Sequence, residues 1–183
     1  MRTVTFCMNI SLDGYCDHTI GSPSEELMDY FTAMMEDVDL LFYGRVMYQL
    51  MFPYWENVRT ERSGSPAENR FADRLCAIDR VVVSATMDTE DPKTRVVRGG
   101  AAEELLKLKR QPGRNISVDS VSMLPVLINA DLIDEFYLVI HPVMAGRGRQ
   151  LLPSGSLTEM LRLKLTDTSI FKNGCVAHHY VKQ

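Results

Sequence analysis

The segment Ile116–Leu124, "ISVDSVSML", has the pattern of a short buried strand that runs directly into a helix. In α/β proteins such turns commonly hold nucleotide phosphates, because the helix N terminus offers free N–H groups and the positive end of its dipole. They usually carry glycine, which lets the backbone come close to the ligand. This turn carries Asp119, so it is either an altered phosphate site or a turn that never bound phosphate.

A carboxylate in such a turn has a cost that can be estimated. At about 5 Å from one phosphate charge, with an effective dielectric constant of about 20, the repulsion is roughly 3 kcal/mol. This repulsion would weaken phosphate binding by a factor on the order of a hundred. Aspartate is also a good helix N-cap, so Asp119 could instead accept hydrogen bonds from the helix that follows. With Ser122 as the cap, Pro125 would lie in the first helical turn, where its missing N–H is harmless.

A second residue that could do chemistry is Asp13, in the "SLDG" turn after the first predicted strand. At a strand end its carboxylate could orient a substrate or relay a proton. An Asp-Gly turn in which the aspartate bonds its own backbone explains the residue equally well. Asp13 is therefore the best candidate for a polar catalytic group, with the structural explanation left open beside it.

Composition excludes several functional classes. The 183 residues, 45% hydrophobic and 24% charged, are typical of one globular domain. A net charge of −4 and the absence of a basic run argue against nucleic-acid binding. No apolar stretch approaches the roughly 18 residues of a membrane span, and the N terminus suits a strand better than a secretory signal.

The cysteines point to a reducing compartment. Cys7, Cys16, Cys76 and Cys175 are scattered without a CxxC pair. This spacing favours reduced thiols in a cytoplasmic protein over a disulfide scaffold or a zinc site, and we expect no metal.

Apolar periodicity predicts alternating strands and helices over residues 1–183, as one domain. Predicted strands cover 4–10, 39–44, 80–86, 115–118 and 135–143. Predicted helices follow a capping box at Ser22–Glu25, start at Arg45, cover Pro66–Ala77 and 101–110, and end near Ala130. Residues 56–69 are predicted as a surface loop, and 161–180 as an antiparallel hairpin about Asn173-Gly174. The predicted fold is a three-layer α/β/α domain with a mainly parallel mixed central sheet, closed by that C-terminal hairpin.

Several segments together resemble one family. They are "SLDGY", "LLFYGRVMY", "VVVSATM" and, most specifically, "LINADLIDEFYLVIHPVMAGRGRQLLP". The chain resembles the dihydrofolate reductase-like superfamily over nearly its whole length. The similarity is greatest to the reductase domain of bifunctional riboflavin-biosynthesis deaminase/reductases and its stand-alone relatives. The resemblance implies that NADPH lies across the carboxyl ends of the strands. It also implies hydride transfer to a small heterocyclic or sugar-like substrate, of the 5-amino-6-ribosylaminouracil or dihydrofolate type.

The resemblance places cofactor contacts in three segments. In the first segment, relatives hold phosphate with an arginine and a hydroxyl group. This chain keeps the arginine, Arg45, but has Met47 at the hydroxyl position. In the second, hydroxyl groups could bind a 2′-phosphate and so favour NADPH. The third is the opening turn, where relatives have Gly-Gly or Gly-Ser, which makes it an altered phosphate site. The implied contacts are Gly44, Arg45 and Met47, then Ser84, Ala85 and Thr86, and then Asp119, Ser120, Val121, Ser122 and Leu124.

On the substrate side, the resemblance implies Asn9, Ser11 and Tyr15 around the first strand end, with Glu26 and Trp55. Glu26 fits a helix-start acid as well as a ligand, and Trp55 fits packing as well as a pocket wall. The "AGRGR" loop, with Arg147 and Arg149, either closes on an anionic ligand or is a structural turn.

Two functions of different classes follow. The first is a small NADPH-dependent reductase, and the resemblance adds the expectation of a homodimer. The second is a ligand-binding or assembly module that retains the fold but no longer turns over a dinucleotide, because Met47 and Asp119 depart from the family pattern.

Overall fold

The protein, analysed as a computed structural model, is described over residues 1–21 and 24–183 and forms one mixed sheet with helices on both faces. The strands are β1 (Val4–Ser11), β2 (Val38–Gly44), β3 (Asp79–Val83), β4 (Thr94–Val97), β5 (Asn115–Val118), β6 (Glu135–His141), β7 (Leu163–Ile170) and β8 (Val176–Lys182). The helices are α1 (Glu25–Met34), α2 (Arg45–Glu61), α3 (Pro66–Ala77), α4 (Ala101–Lys109) and α5 (Leu124–Asn129). These elements confirm the predicted α/β class.

The strand order is β4-β3-β2-β5-β1-β6-β8-β7. From β4 to β6 all neighbours are parallel, whereas β8 runs antiparallel to β6 and to β7. The closing hairpin is therefore confirmed. β5 lies between β1 and β2, so the carboxyl ends of these strands meet at one sheet edge, where open α/β sheets bind ligands.

Alternation along β1 divides the two faces of the sheet. Val4, Phe6 and Met8 pack into the main core, which includes Leu105 of α4 and Leu127 of α5. Because strand side chains alternate, Thr5, Cys7, Asn9 and Ser11 lie on the opposite face. There, α1, α2 and α3 cover Leu41 and Tyr43 of β2.

Several local predictions are wrong. Residues 56–69 are not one loop, because α2 continues to Glu61 and α3 starts at Pro66. The charges that suggested a loop lie on exposed helical surface, where Arg59 pairs with Glu56. β4 was not predicted at all. Its four residues are too few for a clear alternation pattern.

Two predicted helix caps also need revision. The cap of α1 is Ser24, whose hydroxyl accepts a bond from the Leu27 N–H at 3.3 Å. The predicted cap Ser22, with Pro23, lies outside the described residues. Ser122 does not cap α5, which begins after Met123, although Pro125 does lie in the first turn as predicted.

Gly44 joins the ends of β2 and β5. Its N–H donates to the Ser120 hydroxyl at 3.1 Å, and a Cβ at Gly44 would come within 2.7 Å of that same oxygen. Ser120 is buried, so the hydroxyl has little room to move. The absence of a side chain at Gly44 thus sets the approach of the two strand ends at the carboxyl edge.

We predict that Gly44→Ala destabilises the fold by about 1–3 kcal/mol, because it overpacks this contact. Ser120→Ala should cost about 1–3 kcal/mol, because it leaves the buried Gly44 N–H unpaired. The double variant should lose less than the sum of the two, since the second change removes the oxygen that the new methyl group meets. Urea unfolding of the four proteins measures this coupling, and strict additivity would contradict the contact.

Candidate active site

A cleft of about 600 Å³ opens at the carboxyl edge of the sheet. Its walls are the turn that contains Tyr15, the turn after β5 and the glycine-rich loop before β7. The cleft is lined by Tyr15, Val121, Ser122, Pro125, Gly146, Arg147, Gly148, Arg149, Gln150 and Pro153. Tyr15, Val121 and Ser122 were predicted as ligand contacts, and the structure brings them to this one cleft.

Backbone hydrogen bonds fasten the glycine-rich loop to the first turn. Cys16 N–H donates to the Arg149 carbonyl at 2.8 Å, and Leu151 N–H donates to the Gly14 carbonyl at 3.0 Å. Tyr15 and Gln150 form an antiparallel bridge between these bonds. The loop is therefore held as a short ribbon against the end of β1.

Asp13 anchors the same loop with its side chain. Its carboxylate accepts from the Ser11 hydroxyl at 2.6 Å, from Ala145 N–H at 2.9 Å and from Gly146 N–H at 2.7 Å. These bonds, that of Ser11 first, lower the pKa of Asp13 to about 2. The carboxylate is thus ionised and engaged, which makes it a poor proton donor at neutral pH. This positioning role differs from the predicted catalytic one.

The arginines of the loop are available for a ligand. Within residues 1–21 and 24–183, neither the Arg147 nor the Arg149 guanidinium forms an ion pair with a carboxylate. Both residues are exposed and line the cleft. Two unpaired guanidinium groups facing a strand-to-helix turn are suited to a phosphate or carboxylate.

The Asp119 carboxylate turns away from the predicted phosphate turn. It accepts bonds from the Ser117 hydroxyl, at 3.2 and 3.3 Å to its two oxygens, from the Tyr43 hydroxyl and from the Cys7 backbone. These partners lie on the sheet face that α1, α2 and α3 cover. The carboxylate therefore does not cap α5, and it is bonded on the sheet face opposite the main core.

Burial raises the pKa of Asp119 to about 6, against the opposing effect of its hydrogen bonds. The pKa of the Cys7 thiol is raised well above its usual range, by burial first and then by the nearby Asp119 charge. Burial likewise raises the pKa of Tyr43. A half-buried carboxyl group that titrates near neutral pH can give or take a proton, as general acid–base catalysis requires.

The other predicted cofactor residues serve local structure. Arg45 is exposed and donates to Gln49 at 2.9 Å. The Ser84 hydroxyl accepts from the N–H groups of Thr86 and Met87, which closes the turn after β3, with Ala85 and Thr86 exposed. Met47 and Leu124 pack into the core, Leu124 with 1% of its surface exposed.

The predicted substrate residues separate into two groups. Asn9 is half-buried and bonds to His141, while Ser11 is buried and accepts from Tyr15 N–H at 3.0 Å as well as binding Asp13. Glu26 instead accepts from Lys172 N–H beside the hairpin turn, and Trp55 packs edge-on against Phe71. Neither Glu26 nor Trp55 lines the cleft.

Sequence reasoning missed the donors to Asp119. Ser117 could have been found, because it precedes Asp119 by two residues in a strand and so shares its face. Tyr43 and His141 reach the site from other strands, and their contacts depend on strand order.

A second cavity, of about 670 Å³, lies between α2, α3 and the β3–β4 edge. Its charged groups already have partners: Arg59 pairs with Glu56, Asp73 pairs with Arg62 outside the cavity, and Lys93 donates to the Ala77 carbonyl. Arg80 pairs with Asp91 at 3.0 Å and lies 4.2 Å over the Phe52 ring. We therefore assign the functional site to the smaller cleft, which has unpaired charge. Within the described residues we find no cluster suited to a metal ion and no helix that could cross a membrane.

Comparison with known proteins gives one consistent result. The family model of the RibD C-terminal domain matches residues 2–177. The uncharacterised protein YyaP of Bacillus subtilis (strain 168) is 27% identical over 179 residues, which are 96% of this chain and 92% of that protein.

Solved structures show the same fold. A Shewanella sp. PV-4 protein named for riboflavin biosynthesis superimposes with a TM-score of 0.72 at 21% identity, over 100% of this chain and 99% of that one. Dihydrofolate reductase from Enterococcus faecalis, complexed with NADP(H), gives a TM-score of 0.64 at 12% identity, over 99% and 96% of the two chains. The fold is thus dihydrofolate reductase-like, as the sequence predicted.

We predict a pH-dependent effect of Asp119→Asn. The pKa of Asp119 in the folded protein, about 6, is above its ordinary value of 3.8, so wild type loses stability as the pH rises from 3.8 to about 6. The variant should therefore gain stability relative to wild type between pH 4.5 and 7.5, by up to about 2 kcal/mol. Urea unfolding of both proteins at the two pH values tests this, and a difference independent of pH would contradict it.

We predict that Asp13→Ala releases the glycine-rich loop. Hydrogen exchange of the Ala145 and Gly146 amides should accelerate, because both lose their acceptor. Trypsin should cut more rapidly after Arg147 and Arg149. Asp88→Ala is the control, since Asp88 is exposed and pairs with Arg98 away from the loop. Equal cleavage in the two variants would show that Asp13 does not hold the loop.

Proposed function

The chain belongs to the RibD C-terminal domain family, and on this basis we propose that it is an NADPH-dependent oxidoreductase that reduces a small heterocyclic substrate. When bound, the nicotinamide would supply the hydride. The residues of the chain would bind the two ligands, orient them and handle the proton.

The observation that carries the proposal is the pairing of Arg147 and Arg149 with the turn after β5 across one cleft. Phosphate groups of a dinucleotide need compact positive charge and free donors. The guanidinium groups would supply the charge, and the exposed Ser122 hydroxyl would add a donor. The residues present therefore fit the phosphate end of the cofactor.

The position of Asp119 removes the main argument for a module without dinucleotide turnover. That hypothesis rested on a carboxylate in the phosphate turn, whereas the carboxylate is bonded to Ser117 and Tyr43 on the other side of the strand. Met47 is packed against the core. It replaces the hydroxyl-bearing residue of relatives, and this replacement is the departure from the family pattern that remains.

The polar groups beside β1 favour a heterocycle over a sugar-like substrate. β1 and β5 pair with Phe6 opposite Val118, which puts Asp119 next to Cys7 and one pleat from Asn9. An amide donor and a carboxylate acceptor on one face complement the C=O and N–H of a cyclic amide. Asp119, with a pKa of about 6, would also hold the proton that accompanies the hydride.

The proposal includes a homodimer, as the resemblance implies, and a cytoplasmic location, as the cysteine spacing suggested. Leu165 and Ile170 are exposed on β7, the outer strand of the sheet, which supports an interface at that edge. All four cysteines are free, in keeping with a reducing compartment.

We predict that the wild type binds NADPH with micromolar affinity and that Arg147→Ala or Arg149→Ala weakens binding by about 10-fold or more. The reason is that a hydrogen bond to a charged group is worth about 1.5–3 kcal/mol. Added salt should reduce the effect. Fluorescence titration measures the affinities, with NADH beside NADPH to reveal a 2′-phosphate contact. Arg110→Ala, an exposed arginine at the end of α4, is the matched control.

Asp119→Gly separates the two explanations of the turn. Because the carboxylate faces away, this change should alter NADPH affinity by no more than a few-fold. A gain near a hundredfold would instead place the carboxylate against the phosphate. Absence of NADPH binding by wild type, or loop-arginine variants that behave like the Arg110 control, would refute the proposed function.

A further inference from the structure

Three side chains form a hydrogen-bonded chain from the hairpin to the sheet face. Cys175 Sγ lies 3.2 Å from His141 Nδ1, and His141 Nε2 lies 2.9 Å from Asn9 Oδ1. Cys175 and His141 are 1% and 2% exposed, whereas Asn9 is half-buried. These hydrogen bonds thus run from the buried interior to the half-buried amide of Asn9, on the strand that leads to the Tyr15 turn of the cleft.

We propose that Cys175 and His141 are positioning residues that fix the Asn9 side-chain amide so that its N–H donors face the substrate. The inference rests on the proposed function for the identity of the ligand. The orientation itself follows from the hydrogen-bonding capacities of the three groups.

The thiol sets the direction of the chain. Burial raises the pKa of Cys175, so the group is an S–H, which donates more readily than its sulfur accepts. We assign the thiol proton to His141 Nδ1, 3.2 Å away, with the Asn173 side chain as a second hydrogen-bonding neighbour of the thiol. Burial lowers the pKa of His141 and keeps the ring neutral, so the proton of the ring is on Nε2. That proton needs an acceptor, which must be the oxygen and not the nitrogen of the Asn9 amide.

Strand order then sets where the amide nitrogen points. β1 lies between β6, which carries His141, and β5, which leads to Asp119. Oδ1 and Nδ2 lie in one plane and point in different directions from Cγ, so with Oδ1 bonded toward β6, Nδ2 is directed away from β6, on the β5 side of β1. The Asn9 donors and the Asp119 carboxylate would therefore lie side by side, as recognition of a cyclic amide requires.

The packing around the ring supports a fixed orientation. A Cβ at Gly21 would lie 3.4 Å from His141 Cε1, so Gly21 lies close to the ring. The Cys175 carbonyl accepts from Phe171 N–H at 2.9 Å, which holds the thiol in the hairpin turn. Movement of the Cys175 thiol or the His141 ring would therefore disturb these contacts.

The first test needs no substrate. Long-range ¹H–¹⁵N spectra of histidine-labelled protein at neutral pH should show His141 as the neutral Nε2–H tautomer. The Asn9 side-chain NH₂ signals should shift in Cys175→Ala and stay in place in Cys175→Ser, which keeps a donor. Cys76→Ala, at another buried cysteine, controls for loss of packing. A charged or Nδ1–H imidazole, or Asn9 signals that ignore Cys175→Ala, would overturn the chain.

The second test uses uracil as a cyclic-amide probe on NADPH-saturated protein. Cys175→Ala should weaken uracil binding by about 2- to 10-fold, the range expected for one misplaced hydrogen bond, with NADPH affinity unchanged. Cys175→Ser should restore it. Equal uracil affinity in wild type and Cys175→Ala, or no uracil binding by wild type, would overturn the substrate-facing role. Failure of NADPH binding would contradict the proposed function. The tautomer spectra would still show whether the hydrogen bonds from Cys175 through His141 to Asn9 have the proposed direction.

Discussion

The cleft depends on one carboxylate. Asp13 follows the first strand and reaches the glycine-rich loop more than a hundred residues later, where it accepts the amide hydrogens of Ala145 and Gly146. A loop with glycines at 146 and 148 has high conformational entropy when free, so an ionised anchor with two backbone donors sets its course. Through this contact the end of β1 decides where Arg147 and Arg149 lie, and thereby where an anionic ligand can bind.

The end of β5 shows how one residue can be assigned to the wrong surface. A strand presents successive side chains to opposite faces, so a turn residue can belong by sequence to the phosphate turn and by direction to the substrate face. Asp119 is such a residue. Its neighbour Ser120 contacts Gly44 at the strand ends, and Val121 and Ser122 line the cleft. In the proposed function, phosphate binding and proton transfer therefore belong to different residues of one short segment.

The extent of successful prediction follows from how local each signal is. The α/β class, α3, α4 and the closing hairpin could be predicted because their apolar periods and turn residues are short-range features. The cleft contacts Tyr15, Val121 and Ser122 could be predicted from the family pattern. The Tyr43 donor to Asp119 and the His141 partner of Asn9 could not, since they come together only through the order of strands. The polar stretch at 56–69 was wrongly predicted as a loop. It contains the end of α2 and the start of α3, and the charged residues on their exposed faces resemble the composition of a loop.

The seal over Cys175 has a consequence for redox chemistry. A thiol that is 1% exposed meets an oxidant only when the β7–β8 turn opens, since Phe171 and Cys175 are bonded across that turn. Oxidation at this position is then limited by local opening of the hairpin and not by the intrinsic reactivity of sulfur. The local stability of β7 and β8 would therefore set the rate at which Cys175 is oxidised. It would also determine how long the amide of Asn9 keeps its orientation in an oxidising solution.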